Sequence, residues 1–173
     1  MSDEVERGEV RQGVGAVAGK QLTFRLGPEV FGLPILKVQE IIGMMAVTAV
    51  PRVPEYVRGV INLRGKVIPV VELRRKFLMN PVEDTERTCI IVVEVKSREH
   101  HITMGILVDE VSEVLEISPG QIEPPPSFGS EVDTRFILGM GKVNDQVVML
   151  LDVEGVLSDG NLTQIAQAAE SAG

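Results

Sequence analysis

The chain has no tryptophan, one tyrosine and five phenylalanines in 173 residues, so aromatic residues make up only 3%. Proteins that bind single-stranded nucleic acid need aromatic platforms, and this chain has few to offer. Positive charge is also in short supply. Asp and Glu number 25 against 17 Lys and Arg, a formal net charge of −8. Phosphate backbones bind to basic surfaces, so nucleic acid is excluded as a partner. With a single cysteine, Cys89, there is no internal disulfide, which points to a reducing cytoplasm. Cys89 lies in an aliphatic run and reads as a small core residue.

Only two histidines occur, the adjacent His100 and His101, in a charged turn without acidic or cysteine partners at ligand spacing. Neighbouring strand residues point to opposite sides, so this pair does not read as a metal site. No apolar run is long enough to cross a bilayer, and Met1–Lys20 lacks the apolar centre of a signal peptide. Gly-rich phosphate loops, G-x-S-x-G and paired-cysteine motifs are missing. Asp109-Glu110 reads as a solvated acidic pair rather than acid–base machinery. No enzyme, cofactor or metal is expected. The rivals, an oligonucleotide- or oligosaccharide-binding barrel and a small hydrolase or metal enzyme, lack the surface or the chemistry they need.

What is present is aliphatic, at 44% hydrophobic, with Val and Ile leading the runs. Val57–Leu63 and Val67–Leu73 flank an Arg64-Gly65-Lys66 step. That pattern describes two strands on a tight turn, with Gly65 free to take positive φ. Pro69 lacks an N–H, so its strand is expected at an edge or beside a bulge. The basic run Arg74-Arg75-Lys76 reads as a solvated strand end, and Met44-Met45 as core filler.

The hairpin has an echo at Gly139–Val153, offset by 139 − 59 = 80 residues. Val67 then meets Val147, Val70 meets Leu150, and Glu72 meets Asp152. An earlier pair, Leu22–Leu33, is echoed by Cys89–Val95 and Ile102–Val108. The segment after it repeats at 105 − 32 = 73, setting Val38–Ile42 over Val111–Leu115. Each copy therefore runs hairpin, V-x-E-φ-φ segment, Pro-containing connector, hairpin. About five antiparallel strands per copy predict two small barrels or sandwiches. Residues 1–20 read as a flexible leader, 21–79 and 88–157 as the copies, and 158–173 as a helical tail with Leu162, Ile165 and Ala169 on one side.

The copies differ at the hairpin tip, where Arg64-Gly65 faces Asn144-Asp145. Shared folding needs do not explain a difference at an exposed tip, which lifts Arg64 above an ordinary turn residue. Glu40 and its counterpart Glu113 are the polar members of apolar segments. They suit either solvent or the charged rim of an apolar groove.

The segments LKVQEI (Leu36–Ile41), GVINLRGKVIPVVELR (Gly59–Arg74) and GILVDEVSEVL (Gly105–Leu115) resemble the CheW family of chemotaxis coupling proteins. The resemblance runs from about Gln21 to Leu157. It implies an all-β fold of two intertwined five-stranded SH3-like barrels with short helical connectors and a short C-terminal helix. It further implies a cytoplasmic, non-enzymatic adaptor without cofactors, recruited to membrane-associated arrays. The implied partners are the cytoplasmic tip of methyl-accepting chemoreceptors and the regulatory domain of a CheA-type histidine kinase. The same resemblance also fits an adaptor of a pilus or surface-motility pathway. By motif position, Val38, Glu40, Gly59, Arg64, Gly105, Val111 and Val114 correspond to receptor-contact or receptor-coupling residues. Val111 and Val114 also have an ordinary reading as core. Ile35 and Phe128 correspond to the two kinase-facing sides.

Overall fold

Two sheets share the chain, and each borrows strands from both copies of the repeat. The structure, a computed structural model, describes residues 18–97, 100–125 and 136–157. The first hairpin is β1 (Gly19–Leu26) and β2 (Glu29–Pro34), followed by a 3-10 turn at Ile35–Lys37 and β3 (Val38–Gly43). The second hairpin is β4 (Val57–Leu63) and β5 (Lys66–Glu72), closed by α1 (Leu73–Lys76). The second copy supplies β6 (Cys89–Ser97), β7 (His100–Val108), β8 (Glu110–Ile117), β9 (Ile122–Glu123), β10 (Ile137–Val143), β11 (Gln146–Leu151) and α2 (Val153–Leu157). β1 starts at Gly19, inside the span read as leader, while the tail from residue 158 lies outside the described residues.

One sheet runs β8-β1-β2-β11-β10-β9 and the other β3-β6-β7-β5-β4. The first hairpin of each copy thus sits in the sheet completed by the other copy's last hairpin. The joints are parallel pairings, with Val70 opposite Gly105 in one and Leu150 opposite Gly32 in the other. Those partners differ by 150 − 70 = 80 and 105 − 32 = 73, the two offsets of the sequence repeat. Bulges recur in the same way, between Val57 and Gly59 and between Ile137 and Gly139. Even the isolated Thr48–Val60 bridge has its counterpart in the Glu123–Met140 pairing of β9 with β10.

The two-barrel expectation is met, and the packing shows why Ile90–Val93 of β6 and Met104–Val108 of β7 run without polar alternation. In β6, Ile91, Val93 and Val95 enter a large central core between the sheets, while Ile90 and Val92 fill the five-stranded barrel. A strand buried on both faces needs no polar alternation. Leu22, Phe24, Leu26, Phe31 and Leu33 fill the central core from the other sheet. Val30, Ile117, Val143, Val148 and Leu150 form the smaller core of the six-stranded barrel. Met44 and Met45 pack on the five-stranded barrel's core, as read from sequence. A string of rings links the elements: Phe24, Phe31, Phe77 and Phe136 follow at centroid spacings of 5.8, 5.6 and 5.9 Å. Such ring pairs add roughly 0.5–1.5 kcal/mol each beyond burial.

Of the two places expected for Pro69, an edge or the side of a bulge, the second is found: β5 lies between β7 and β4, and the β4 bulge between Val57 and Gly59 adjoins the Val60–Pro69 pair. Val60, opposite Pro69, exchanges both backbone bonds with Thr48 at 2.8 and 2.9 Å on its far side. The Pro69–Val60 pair is therefore a non-hydrogen-bonded one, and the β4–β5 ladder loses nothing by the missing N–H.

The basic run is not a solvated end. Lys76 Nζ lies 4.0 Å over the Tyr56 ring, and Arg75 Nε bonds the buried Glu72 at 2.8 Å. Arg74 Nε donates to Asp109 Oδ1 at 2.7 Å, and Arg74 Nη2 to Oδ2. Asp109 is also corrected, from a solvated residue: it is a member of this half-buried pair between copies, and it also accepts the Gly27 N–H at 2.8 Å. Burial alone would push its carboxyl up. The bonds from Arg74 and Gly27, with the Arg74 charge, outweigh that and hold it below its ordinary value. The same partner raises the Arg74 guanidinium.

Candidate functional site

The inside column of the five-stranded barrel follows from strand periodicity. On β6, Ile90, Val92 and Glu94 share a face; on β7 so do Leu107, Gly105, Thr103 and His101. On β5 the same face carries Val70, Ile68 and Lys66. Deep in the barrel these positions are aliphatic and buried. Towards one end each strand turns polar, giving Glu94, His101, Thr103 and Lys66. The result is an open mouth of about 430 Å³ with Ile68 and Leu63 as its apolar part.

Two predicted residues meet across this mouth. Arg64 sits at the β4–β5 tip with φ +53, followed by Gly65 at +83, while Asn62 Oδ1 accepts the Gly65 N–H at 2.9 Å. A left-handed arginine is unfavourable by about 1 kcal/mol, so the tip carries a strained cation where a glycine or asparagine is easier. Its Nη2 donates to Glu40 Oε2 on β3, at the opposite edge of the sheet. The Arg64 side chain is 75% exposed and Glu40 23%. An exposed pair of this kind contributes about 0–1 kcal/mol to stability, so folding does not account for it. The other Glu40 oxygen, Oε1, is shielded from solvent and has no hydrogen-bond partner among the described residues.

The remaining groups of the mouth are already arranged. Glu94 accepts from Gln39 Nε2 at 2.6 Å and is contacted by His101 Nδ1 at 2.6 Å. Lys66 Nζ donates to Thr103 Oγ1 at 3.1 Å. The rim is thus polar and charged, around Leu63 and Ile68. Among the described residues no three His, Cys, Asp or Glu side chains converge as a metal site.

The other predicted residues fall in different places. Gly59 is buried at the β4 bulge with φ +149, and a Cβ there would stand 2.1 Å from Thr48 O. Gly105 is buried too, with Ile90 Cγ2 2.7 Å from where a Cβ would be. Both glycines shape the barrel and neither presents a surface. Val38 and Ile35 are half-buried at the 3-10 turn and pack on the central core, beside the exposed Leu36. Val111 is half-buried opposite Phe24 and matches its core reading. Val114, read as core, is 47% exposed on the edge strand β8. Phe128 lies outside the described residues. Sequence reading missed Lys66, Glu94 and Thr103 as members of one site. The signal was there in the alternation Ile90-Val92-Glu94, which predicts a polar end to an apolar column.

A family model described as the CheW-like domain matches residues 20–161. The chain is 37% identical over 158 residues to the chemotaxis protein CheW of Klebsiella aerogenes, covering 91% of this chain and 93% of the relative. It is 38% identical over 139 residues to the chemotaxis protein CheW of Rhizobium meliloti, covering 80% and 87%. Among solved structures, the scaffolding protein TtCheW of Thermoanaerobacter tengcongensis superposes with a TM-score of 0.74 at 33% identity. That match covers 83% of this chain and 95% of the other.

Proposed function

The chain belongs to the CheW-like domain family, and from that premise we propose that it is a non-enzymatic chemotaxis adaptor. In this reading it joins the cytoplasmic tips of transmembrane chemoreceptors to the regulatory domain of a CheA-type histidine kinase. It acts in the cytoplasm at membrane-associated receptor arrays, through protein contacts alone. The relatives' names, chemotaxis protein and scaffolding protein, support this class of role.

The observation that carries the reading is the differentiated mouth. Two barrels share one strand register, yet only one has a strained arginine bridging its rim to a carboxylate. Receptor tips are helical hairpins, and a helix resting on such a rim is selected by the charges there. Glu40 and Arg64 frame the rim on which that helix rests, while Gly59 and Gly105 hold the barrel wall behind them. Val38 lies beside Glu40 on β3, and Val111 and Val114 on β8 are assigned to receptor coupling by their motif positions alone. Ile35 and Phe128 serve the two kinase-facing sides.

The test is calorimetric titration with a chemoreceptor cytoplasmic fragment and with the kinase regulatory domain, both from the same organism. Arg64→Gln is expected to weaken receptor binding about tenfold and leave kinase binding unchanged, as for a rim charge. Ile35→Asp is expected to do the reverse. Failure of the unmodified protein to bind either partner would sink the reading.

A further inference from the structure

Comparing the two barrel mouths position by position isolates a second cation. The repeat places Lys66 over Gln146 by the offset of 80, and Thr103 over Val30 by the offset of 73. In the six-stranded barrel Val30 is buried core. In the five-stranded barrel the matching threonine is 9% exposed and turns its hydroxyl to Lys66 Nζ at 3.1 Å. A hydroxyl replacing an aliphatic side chain in an inside column weakens the core, since a buried polar atom must find a partner. Here that partner is the lysine, which the hydroxyl holds over the mouth.

The charges around it decide what Lys66 is for. Glu40 is occupied by Arg64, and Glu94 by Gln39 and His101. Among the described residues Lys66 is bonded only to a neutral hydroxyl, so it is the cation of this mouth that has no carboxylate there. Arg64, the other cation, is already committed within the chain. We infer that Lys66 is the specificity-determining cation of the mouth and takes a carboxylate from an Asp or Glu on the helical partner segment. This rests on the mouth being the receptor contact. It assigns the partner's acidic group to Lys66, with Arg64 as the strut that keeps Glu40 from competing for the lysine. Charge complementarity of this kind sets partner choice more than raw affinity, and its loss shows in the salt dependence.

The probe is a purified chemoreceptor cytoplasmic fragment from the same organism, titrated at low and high salt, with the kinase regulatory domain titrated as a folding control. Lys66→Glu is expected to weaken receptor binding by about tenfold at low salt, less at high salt. Lys66→Arg keeps the charge and is expected to stay within about twofold. Single Asp→Lys or Glu→Lys changes across the receptor tip are then paired with Lys66→Glu, and one of them should restore binding. Equal receptor affinity of Lys66→Glu and the unmodified protein overturns the inference and leaves the adaptor reading standing, as does rescue by no charge reversal. Kinase binding with no receptor binding by the unmodified protein overturns the receptor assignment of the mouth, and this inference with it.

Discussion

Replacing Asp109 by alanine removes one acceptor from three donors at once: Arg74 Nε at 2.7 Å, Arg74 Nη2, and the Gly27 N–H at 2.8 Å. The arginine left behind is only 14% exposed. Removing one member of a fully buried ion pair costs about 3–5 kcal/mol, because the other charge stays buried without compensation. Asp109 retains 22% exposure, and Arg74 Nη1 still donates to Asn80 O at 2.9 Å, both of which soften the loss. The expected destabilisation is therefore about 2–3 kcal/mol at neutral pH. For a chain of this size that lowers the melting temperature by roughly 4–12 °C. Urea unfolding followed by circular dichroism measures it directly. Arg74→Met combined with Asp109→Ala is expected to recover much of the loss, since no lone charge remains. The pH dependence has a definite sign. Asp109 is held below its ordinary value, so its contribution is complete above the unfolded-state value of about 3.9. It disappears as the pH falls through the lower folded value. The gap between unmodified protein and Asp109→Ala should hold constant from neutral to about pH 5 and close below about pH 4. A single-variant cost under about 0.5 kcal/mol, typical of a surface pair, would refute the reasoning, as would a gap that widens on acidification.

Gly59→Ala places a methyl group 2.1 Å from Thr48 O, which requires the connector to move off β4. A loss of at least about 3 kcal/mol is expected, with any loss of receptor binding tracking the unfolded fraction in circular dichroism. Leu78→Gly should act in the opposite direction. Leu78 closes α1 at φ +58 with its side chain 94% exposed, so glycine is expected to stabilise by about 0.5–1 kcal/mol in urea unfolding.

The repeat was legible in the sequence because both copies keep the same spacing between apolar positions. The offsets 73 and 80 reappear as the ladder partners Gly105 and Gly32, Val70 and Leu150. Arg64 was legible for the opposite reason, a mismatch at an exposed tip. Its left-handed backbone was not, since only Gly65 carries a sequence signal for positive φ. Arg74 and Asp109 each look solvated when read alone; they lie 35 residues apart, and pairing across the copies is a property of the fold. Gly59 read as a contact residue because local sequence does not show the Thr48 backbone pressed against it. Val114 read as core because aliphatic residues on an edge strand look the same as buried ones. The polar mouth escaped because its five strands come from both copies, and no linear stretch contains it.

The exchange of hairpins between sheets has a consequence for fragments of this chain. A cut in the connector between Met79 and Thr88 leaves β1–β5 on one piece and β6–β11 on the other. Neither piece holds a complete sheet: the first lacks the β6–β7 pair between β3 and β5, and the second lacks β1–β2 between β8 and β11. Each piece alone exposes four unpaired strand edges and half of the central core, so neither half is an autonomous domain. Mixed together, the two should reconstitute one another, because each supplies the hairpin the other's barrel is missing. The faces assigned to receptor and kinase therefore sit on a single cooperative unit. Such a unit carries partners at a fixed mutual angle and does not bend at a joint between barrels.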